Sequence, residues 1–344
     1  MKDKWYDKIF SVKKESFASL AIEIFRFQYD NNPVYKNYIN ALKLNPALIK
    51  SIEQIPFLPV QFFKSYEIKT TSFNPQVIFE SSGTTASITS RHLIKNLSLY
   101  EESFINGFEL FYNPIKDYCI IGLLPSYLER KNSSLVYMVE KLIQLSQHPK
   151  SGFYLNKDKK LIGILNELES QQQKTILIGV TFALLDLAEK FSPDSYQQNF
   201  KNTIIIMETG GMKGRREEMI RSQVHAVLKK AFNVSTIHSE YGMTELLSQA
   251  YSRGEGIFYC PPSMKVLVRN NEDPLSVQSL VGRPESGIQF QTLTGAINII
   301  DLANVYSCSF IATDDVGKIY SDESFEVLGR IDNSDLRGCS LMVV

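Results

Sequence analysis

Three short apolar runs constrain this chain more than anything else in it: Tyr118–Leu124 (YCIIGLL), Thr175–Val180 (TILIGV) and Asn202–Met207 (NTIIIM). Each is continuous rather than alternating. A strand built from such a run must be buried on both faces, which is the condition of a parallel sheet covered by helices. The segments between them supply the covers. Ser134–Leu145 has helical periodicity, FALLDLAEKF follows the second run, and Ile220, Val224, Val227, Leu228 and Ala231 share one helical face after the third. Val234–Ile237 reads as a fourth strand. The predicted architecture is α/β, with a helix-covered, largely parallel sheet. Ligands of such sheets bind at the carboxyl ends of the strands, where PSYLER, ETGG and HSEYGMTE fall.

Upstream, residues 1–70 read as mainly helical, with Phe17, Leu20, Ala21, Ile24 and Phe25 at helical spacing. Pro56 and Pro59 make IPFLPVQFFKSYEI an extended, turning segment. From about Gly256 the segments GIFYC, MKVLV, GAINIID, SFIATDD and FEVLGRID are short, β-rich and punctuated by Gly, Pro, Asn and Asp, which suggests a smaller antiparallel or barrel-like portion. The expected organisation is a helical N-terminal segment and α/β core over 1–255, then a β-rich portion over 256–344.

Lys+Arg and Asp+Glu both number 37, so no net field recruits nucleic acid or an anionic membrane. No run approaches the roughly 18 apolar residues that cross a bilayer, and MKDKWYDKIF lacks the apolar core of a signal peptide. Cys119, Cys260, Cys308 and Cys339 are scattered and never at C-x-x-C spacing, which argues against zinc and against a disulfide framework. The reducing cytoplasm is the expected location. The four histidines are too dispersed for a metal cluster. His148 and His225 read as surface residues.

Phe79–His92 (FESSGTTASITSRH) follows the apolar run QVIF and precedes a helical pattern of Leu97, Tyr100, Phe104, Phe108 and Phe111. The order reads strand, polar loop, helix. Ser81, Ser82, Gly83, Thr84 and Thr85 suit a loop that aims backbone N–H groups and hydroxyls at an anion, with the positive end of the helix behind it. A plain Ser/Thr-rich turn has the same composition, and without GK[ST] the string is not a nucleotide-binding P-loop. In Glu208-Thr209-Gly210-Gly211 the paired glycines suit close approach to a flat ligand or a simple turn; Lys213, Arg215 and Arg216 beyond them face an anion or solvent. Tyr241-Gly242-Met243-Thr244-Glu245 lies at a strand end, where Thr244 or Glu245 would also serve as a helix cap. His92 and His238 each shape a pocket or stay hydrogen-bonded in the core. Cys339 alone reads as a small buried hydrophobe, although Arg337 beside it would favour the thiolate.

SSGTT after an aromatic, followed far downstream by YGMTE, resembles the adenylate-forming superfamily of acyl-CoA synthetases, peptide-synthetase adenylation domains and insect luciferases. Thr313-Asp314-Asp315 stands in the place of that family's TGD, and Gly329-Arg330-Ile331-Asp332 resembles its GRxD hinge. Two departures are Ala86, where the family's loop has Gly, and the lack of a loop Lys before Lys95. The resemblance implies that Ser81, Ser82, Gly83, Thr84 and Thr85 hold the phosphates of ATP, and that Gly210, Gly211, Tyr241 and Gly242 frame adenine. It further implies that Thr244 contacts phosphate, Glu245 holds Mg²⁺, and Asp315 and Arg330 hold the ribose.

Together, SSGTT…SRH, GGMKGRR, HSEYGMTELLSQAY and DLRGCSL resemble a narrower group from about residue 55 onward. It is the LuxE-type acyl-protein synthetase of the bacterial fatty-acid reductase complex. That resemblance implies the large N-terminal domain of an adenylate-forming enzyme without the C-terminal lid. It implies a fatty acid, long-chain in this group, activated with ATP and Mg²⁺ as acyl-adenylate, then transferred to a protein cysteine as thioester. Catalysis would fall to Glu245, Thr244 and His238, with Cys339 as acceptor, and the partner would be an acyl-accepting reductase, acyltransferase or carrier protein. Two alternatives stay open. One is an acyl-CoA or acyl-carrier-protein ligase with Cys339 inert. The other is a non-catalytic nucleotide-binding scaffold, suggested by Ala86, the absent loop Lys and the absent lid.

Overall fold

The computed structural model describes residues 4–81, 89–124, 132–155, 158–190, 200, 203–210, 219–270, 273, 275–278 and 292–331. Two compact units interleave along the chain. The first comprises Met1–Phe104, Met243–Gln249 and Tyr259–Val344, and the second Ile105–Gly242 and Ala250–Phe258.

The N-terminal periodicity becomes α1 (Tyr6–Phe10), α2 (Lys14–Asn31) and α3 (Pro33–Ala41). Asn32 ends α2 and starts α3: its side chain accepts from the Tyr35 N–H, and Pro33 occupies the first helical position. α2 buries the expected face, Phe17, Leu20, Ala21, Ile24 and Phe25, and adds Gln28 one turn on. The Pro-punctuated stretch forms β1 (Leu58–Pro59) and the single-turn α4 (Phe62–Ser65).

The strand–loop–helix order expected around SSGTT is corrected by an extra strand. β2 (Val77–Glu80) pairs antiparallel with β3 (Arg91–Ile94), with Glu80 opposite Arg91 and Val77 opposite Ile94. Only then does α5 (Leu97–Tyr112) begin. The chain at Ser81 therefore leaves one arm of a hairpin and returns on the other. The Ser81 N–H donates to the Ser90 carbonyl at 3.0 Å and the Ser90 N–H to Ser81 Oγ at 2.9 Å. No helix N-terminus directly follows the loop.

In the second unit the apolar runs become strands as expected: β4 (Cys119–Leu123), α6 (Ser134–Ser146), β5 (Gly152–Phe153), α7 (Asp158–Ser170), β6 (Thr175–Gly179), α8 (Thr181–Ala188), β7 (Ile204–Glu208) and α9 (Arg221–Phe232). Every residue of β4 and β6 is buried. The fourth strand is displaced from its expected place. Asn233, left-handed at φ 51°, closes α9, and β8 forms at His238–Tyr241 instead of Val234–Ile237. β9 (Ala250–Ser252) follows it. The order is β9-β8-β7-β6-β4-β5, parallel except that β9 runs antiparallel to β8. α9 is also rotated from its expected face: Val224, His225, Leu228 and Phe232 are buried, while Ile220 and Val227 are exposed.

The β-rich C-terminal portion follows as β10 (Phe258–Tyr259), β11 (Met264–Arg269), β12 (Val277–Gln278), β13 (Leu293–Asp301), β14 (Phe310–Ile319) and β15 (Phe325–Arg330). In the first unit these run β12-β11-β13-β14-β15, all antiparallel, and β1 adds in parallel to β14. A 3₁₀ turn, Leu302–Asn304, joins β13 to the approach of β14. Phe310 anchors the core here, with Phe25, Tyr35 and Phe57 each 6.2 Å away between ring centroids.

Gln28 binds that turn to α2. Its Nε2 donates to the carbonyls of Asn304 (3.1 Å) and Val305 (3.0 Å) and to Ser309 Oγ (3.2 Å), and its Oε1 accepts from the Ser309 N–H (3.0 Å). Replacing Gln28 with Leu keeps the volume but strands buried backbone groups. We expect a loss of about 2–4 kcal/mol in urea unfolding; a loss below about 0.5 kcal/mol would contradict this account.

Candidate active site

Thr244 to Ser248 belong to neither helix nor ladder. Glu245 to Ser248 are buried and Thr244 is half-buried, so their backbone groups need partners from elsewhere. In the first unit three side chains supply them. His92, on β3, donates from Nδ1 to the Thr244 carbonyl at 2.8 Å. Asn304 Nδ2 donates to the Glu245 carbonyl at 2.6 Å. Asp301 accepts from the N–H groups of Leu247 (2.7 Å) and Ser248 (2.9 Å) and from Ser248 Oγ (2.7 Å). His92 Nε2 also lies 2.9 Å from Asn304 Oδ1. Burial drags the His92 pKa down to about 4 against these hydrogen bonds, so at neutral pH the ring carries a single proton, the one that Nδ1 donates to the Thr244 carbonyl.

Glu245 is buried, and desolvation raises its pKa. The Ser90 hydroxyl, hydrogen-bonded to it, and the charges of Arg330 and Lys64 oppose that rise. Ser90 is the return residue of the β2–β3 hairpin, so the two strongest motifs, distant in sequence, meet at Ser90 and Glu245. Asp315 and Arg330 are ladder partners on β14 and β15, and Arg330 Nε lies 3.2 Å from Asp315 Oδ1. No helix begins at or directly after Thr244 and Glu245, which removes the helix-cap reading of YGMTE.

The second unit places Thr209, Gly210 and Tyr241 at the carboxyl ends of β7 and β8. Tyr241 is buried, edge-on to Phe258 at 5.9 Å. Glu208 and Glu240, on neighbouring strands, are both buried and differ in protonation. For Glu208, burial would raise the pKa, but His225, Arg221, Ser239 and the Gly210 N–H outweigh it and bring it to about 2. For Glu240, burial and then the Glu208 charge push it up to about 8. His225, expected on the surface, is buried because α9 turns it toward Glu208 and Ser239.

His238 is placed differently from Gly210 and Tyr241. It opens β8 and bonds Tyr112 Oη through Nδ1 at 3.1 Å. It borders a cleft of about 260 Å³ with Tyr118, Lys174, Thr203 and Thr236, at the amino edge of the parallel strands. Burial and the Arg253 charge lower its pKa to about 4. Ser82, Gly83, Thr84, Thr85, Gly211 and Cys339 lie outside the described residues, as do Lys213, Arg215, Arg216 and Arg337. Asp301 and Asn304 carried no sequence signal beyond residue type, because each acts through a partner remote in sequence; Ser90 and Glu240 lie inside the strings SRH and HSEYGMTE, where residue type alone gave them no role.

Glu240 yields a pH test. The unfolded carboxyl ionises near its ordinary 4.5, while the folded one stays protonated until about 8. The parent therefore holds this contribution below pH 4.5 and loses it as pH rises toward 8. Glu240→Gln has no such proton to lose. Its stability relative to the parent, from urea melts at pH 5 and pH 8, should improve by on the order of 3 kcal/mol across that interval. A pH-independent difference would refute the assignment.

The family model of the acyl-protein synthetase LuxE matches residues 9–344. The long-chain-fatty-acid–luciferin-component ligase of Aliivibrio fischeri is 21% identical over 353 residues, covering 96% of this chain and 89% of that protein. Among solved structures, the chain is similar to 2-hydroxyisobutyryl-CoA ligase in an open conformation, with TM-score 0.66 and 12% identity over 93% of this chain and 70% of that one. The same ligase in its postadenylation state gives TM-score 0.59 and 9% identity, covering 92% of this chain and 63% of that one. The chain belongs to the acyl-protein synthetase LuxE family.

Proposed function

We propose that the protein activates a long-chain fatty acid as acyl-adenylate and then passes the acyl group to Cys339 as a thioester. The observation that carries this reading is the hydrogen bond between Ser90 and Glu245, in a chain of this family. It sets the mouth of the SSGTT hairpin against the Thr244–Glu245 end of YGMTE.

In the first step the carboxylate oxygen attacks the α-phosphorus of ATP and pyrophosphate leaves. The protein has little covalent work to do; it positions the reactants and neutralises charge. Ser81, Ser82, Gly83, Thr84 and Thr85 hold the β- and γ-phosphates, and Thr244 contacts phosphate. Gly210, Gly211, Tyr241 and Gly242 frame the adenine, and Asp315 with Arg330 holds the ribose. Glu245 suits Mg²⁺ because it is a buried hard-oxygen donor whose charge its neighbours only partly compensate. No group of three or more His, Cys, Asp or Glu stands ready for a metal among the described residues. A cation at Glu245 would complete its shell from phosphate and water oxygens, the usual Mg²⁺ arrangement; when bound it screens the triphosphate.

In the second step the Cys339 thiolate attacks the acyl carbon, the bond to AMP breaks, and the thiol proton passes to solvent. Burial pushes Cys119 up to about 11 and Cys308 up to about 12 and also raises Cys260, so none of these supplies a thiolate at neutral pH. The thioester would then serve an acyl-accepting reductase, acyltransferase or carrier protein. A cytoplasmic setting suits a free thiol acceptor. No helix among the described residues is long and apolar enough to cross a membrane.

Pyrophosphate exchange driven by fatty acids of graded length tests the first step. Glu245→Gln should slow it by roughly two orders of magnitude, about 3 kcal/mol of transition-state stabilisation. Near-parental exchange would remove Glu245 from the metal role. For the second step, the parent given ATP, Mg²⁺ and labelled fatty acid should hold hydroxylamine-sensitive label at Cys339. Cys339→Ser should exchange normally and hold none. Label on another cysteine would refute the acceptor, and acyl-CoA formation undiminished by Cys339→Ser would favour a coenzyme A ligase.

A further inference from the structure

We propose that Glu208 is a positioning residue for nucleotide-base recognition, holding Gly210 in the conformation that presents its open face to adenine. This rests on the reading of Gly210 as part of the adenine frame.

A buried carboxylate is costly unless it is paired and hydrogen-bonded. Glu208, at the end of β7, is 3% exposed. One of its oxygens serves the turn that follows and the start of α8. Oε2 accepts from the Gly210 N–H at 2.7 Å and from Thr181 Oγ1 at 3.0 Å. The other oxygen faces α9, with Arg221 Nε at 3.4 Å and His225 Nε2 at 3.7 Å. The turn is held from its far side as well. The Thr181 N–H donates to the Gly210 carbonyl at 3.1 Å, and the Thr209 N–H donates to the Gly179 carbonyl at 3.0 Å. Gly210 itself is left-handed at φ +71°, and a Cβ there would meet nothing within 4 Å among the described residues. The strand end thus presents a backbone surface that no other described residue crowds, whose N–H is tied by a charged side chain two residues back.

Stability alone accounts poorly for this arrangement. Apolar replacement of a buried ion pair is often neutral or stabilising, whereas only an acceptor at this site can hold the Gly210 N–H. Arg221 and His225 fix the carboxylate from α9, and Glu240 lies beside it on β8. Substitution by Gln forces a donor NH₂ against either the Gly210 N–H and Thr181 or the α9 groups, so the amide cannot serve both sides.

The test is pyrophosphate exchange with ATP, GTP and ITP on full-length Glu208→Gln, Thr181→Val and Gly210→Ala, each first checked for parental circular dichroism. Glu208→Gln should raise KM for ATP about tenfold and narrow the preference for ATP over GTP at least fivefold. Thr181→Val, which loses one donor, should shift both in the same direction by about threefold. A merely structural role would lower the active fraction and leave nucleotide preference unchanged. If Glu208→Gln does not fold, Thr181→Val decides alone. Should Gly210→Ala raise KM for ATP while the other two folded variants keep parental KM and preference, the positioning role is wrong and the adenine frame stands. If Gly210→Ala is also parental, the adenine reading itself falls and the inference with it.

Discussion

Thr244 and Glu245 occupy backbone that forms no helix and no ladder, so their position is what His92, Asn304 and Asp301 make it. A ladder repeats its own geometry; an isolated turn has to be held group by group. Here the holding groups come from β3 and from the Asp301–Asn304 turn, and each spends at least one polar atom on a main-chain partner. The side chains of Thr244 and Glu245 are thereby left for other work. Ser90 beside Glu245 completes the arrangement from the hairpin side.

A similar economy governs the second unit. Glu208 and Glu240 lie on adjacent strands, yet one is held ionised and the other protonated near neutrality. Burial acts on both. What separates them is that Glu208 has two donors on one oxygen and two basic groups on the other, while for Glu240 the Glu208 charge adds to the cost of ionising. Pairs of carboxylates driven apart in this way are common where proteins concentrate function.

The parallel strands were readable because burial on both faces leaves a run with almost no polar residue to hide it, as in β4 and β6. β3 was not: Arg91 and His92 disguise a short strand whose existence depends on Val77–Glu80 opposite. β8 was missed by a few residues for a related reason. HSEY looks like a loop, and becomes a strand because it lies against the end of β7 and the antiparallel β9. On α9, Ile220 and Val227 suggested an apolar face, but the helix turns His225 inward to serve Glu208. The motif strings marked where chemistry sits, and the residues that hold them in place stayed hidden, since a lone Asn, Asp or Ser gives no pattern until its partner is seen.

Gln28 carries a consequence for how such a chain can vary. The residue sits in the N-terminal helix, far in sequence from every motif, yet it grips the main chain of the same turn from which Asn304 reaches Glu245. Evolutionary drift at α2 is therefore not free. A change that shifts the helix along its axis moves the Asn304 carbonyl, and with it the side chain that fixes the motif. A change at position 28 therefore reaches the turn at 304 and the backbone at 309 through these bonds, a dependence that the surface of α2 would never suggest.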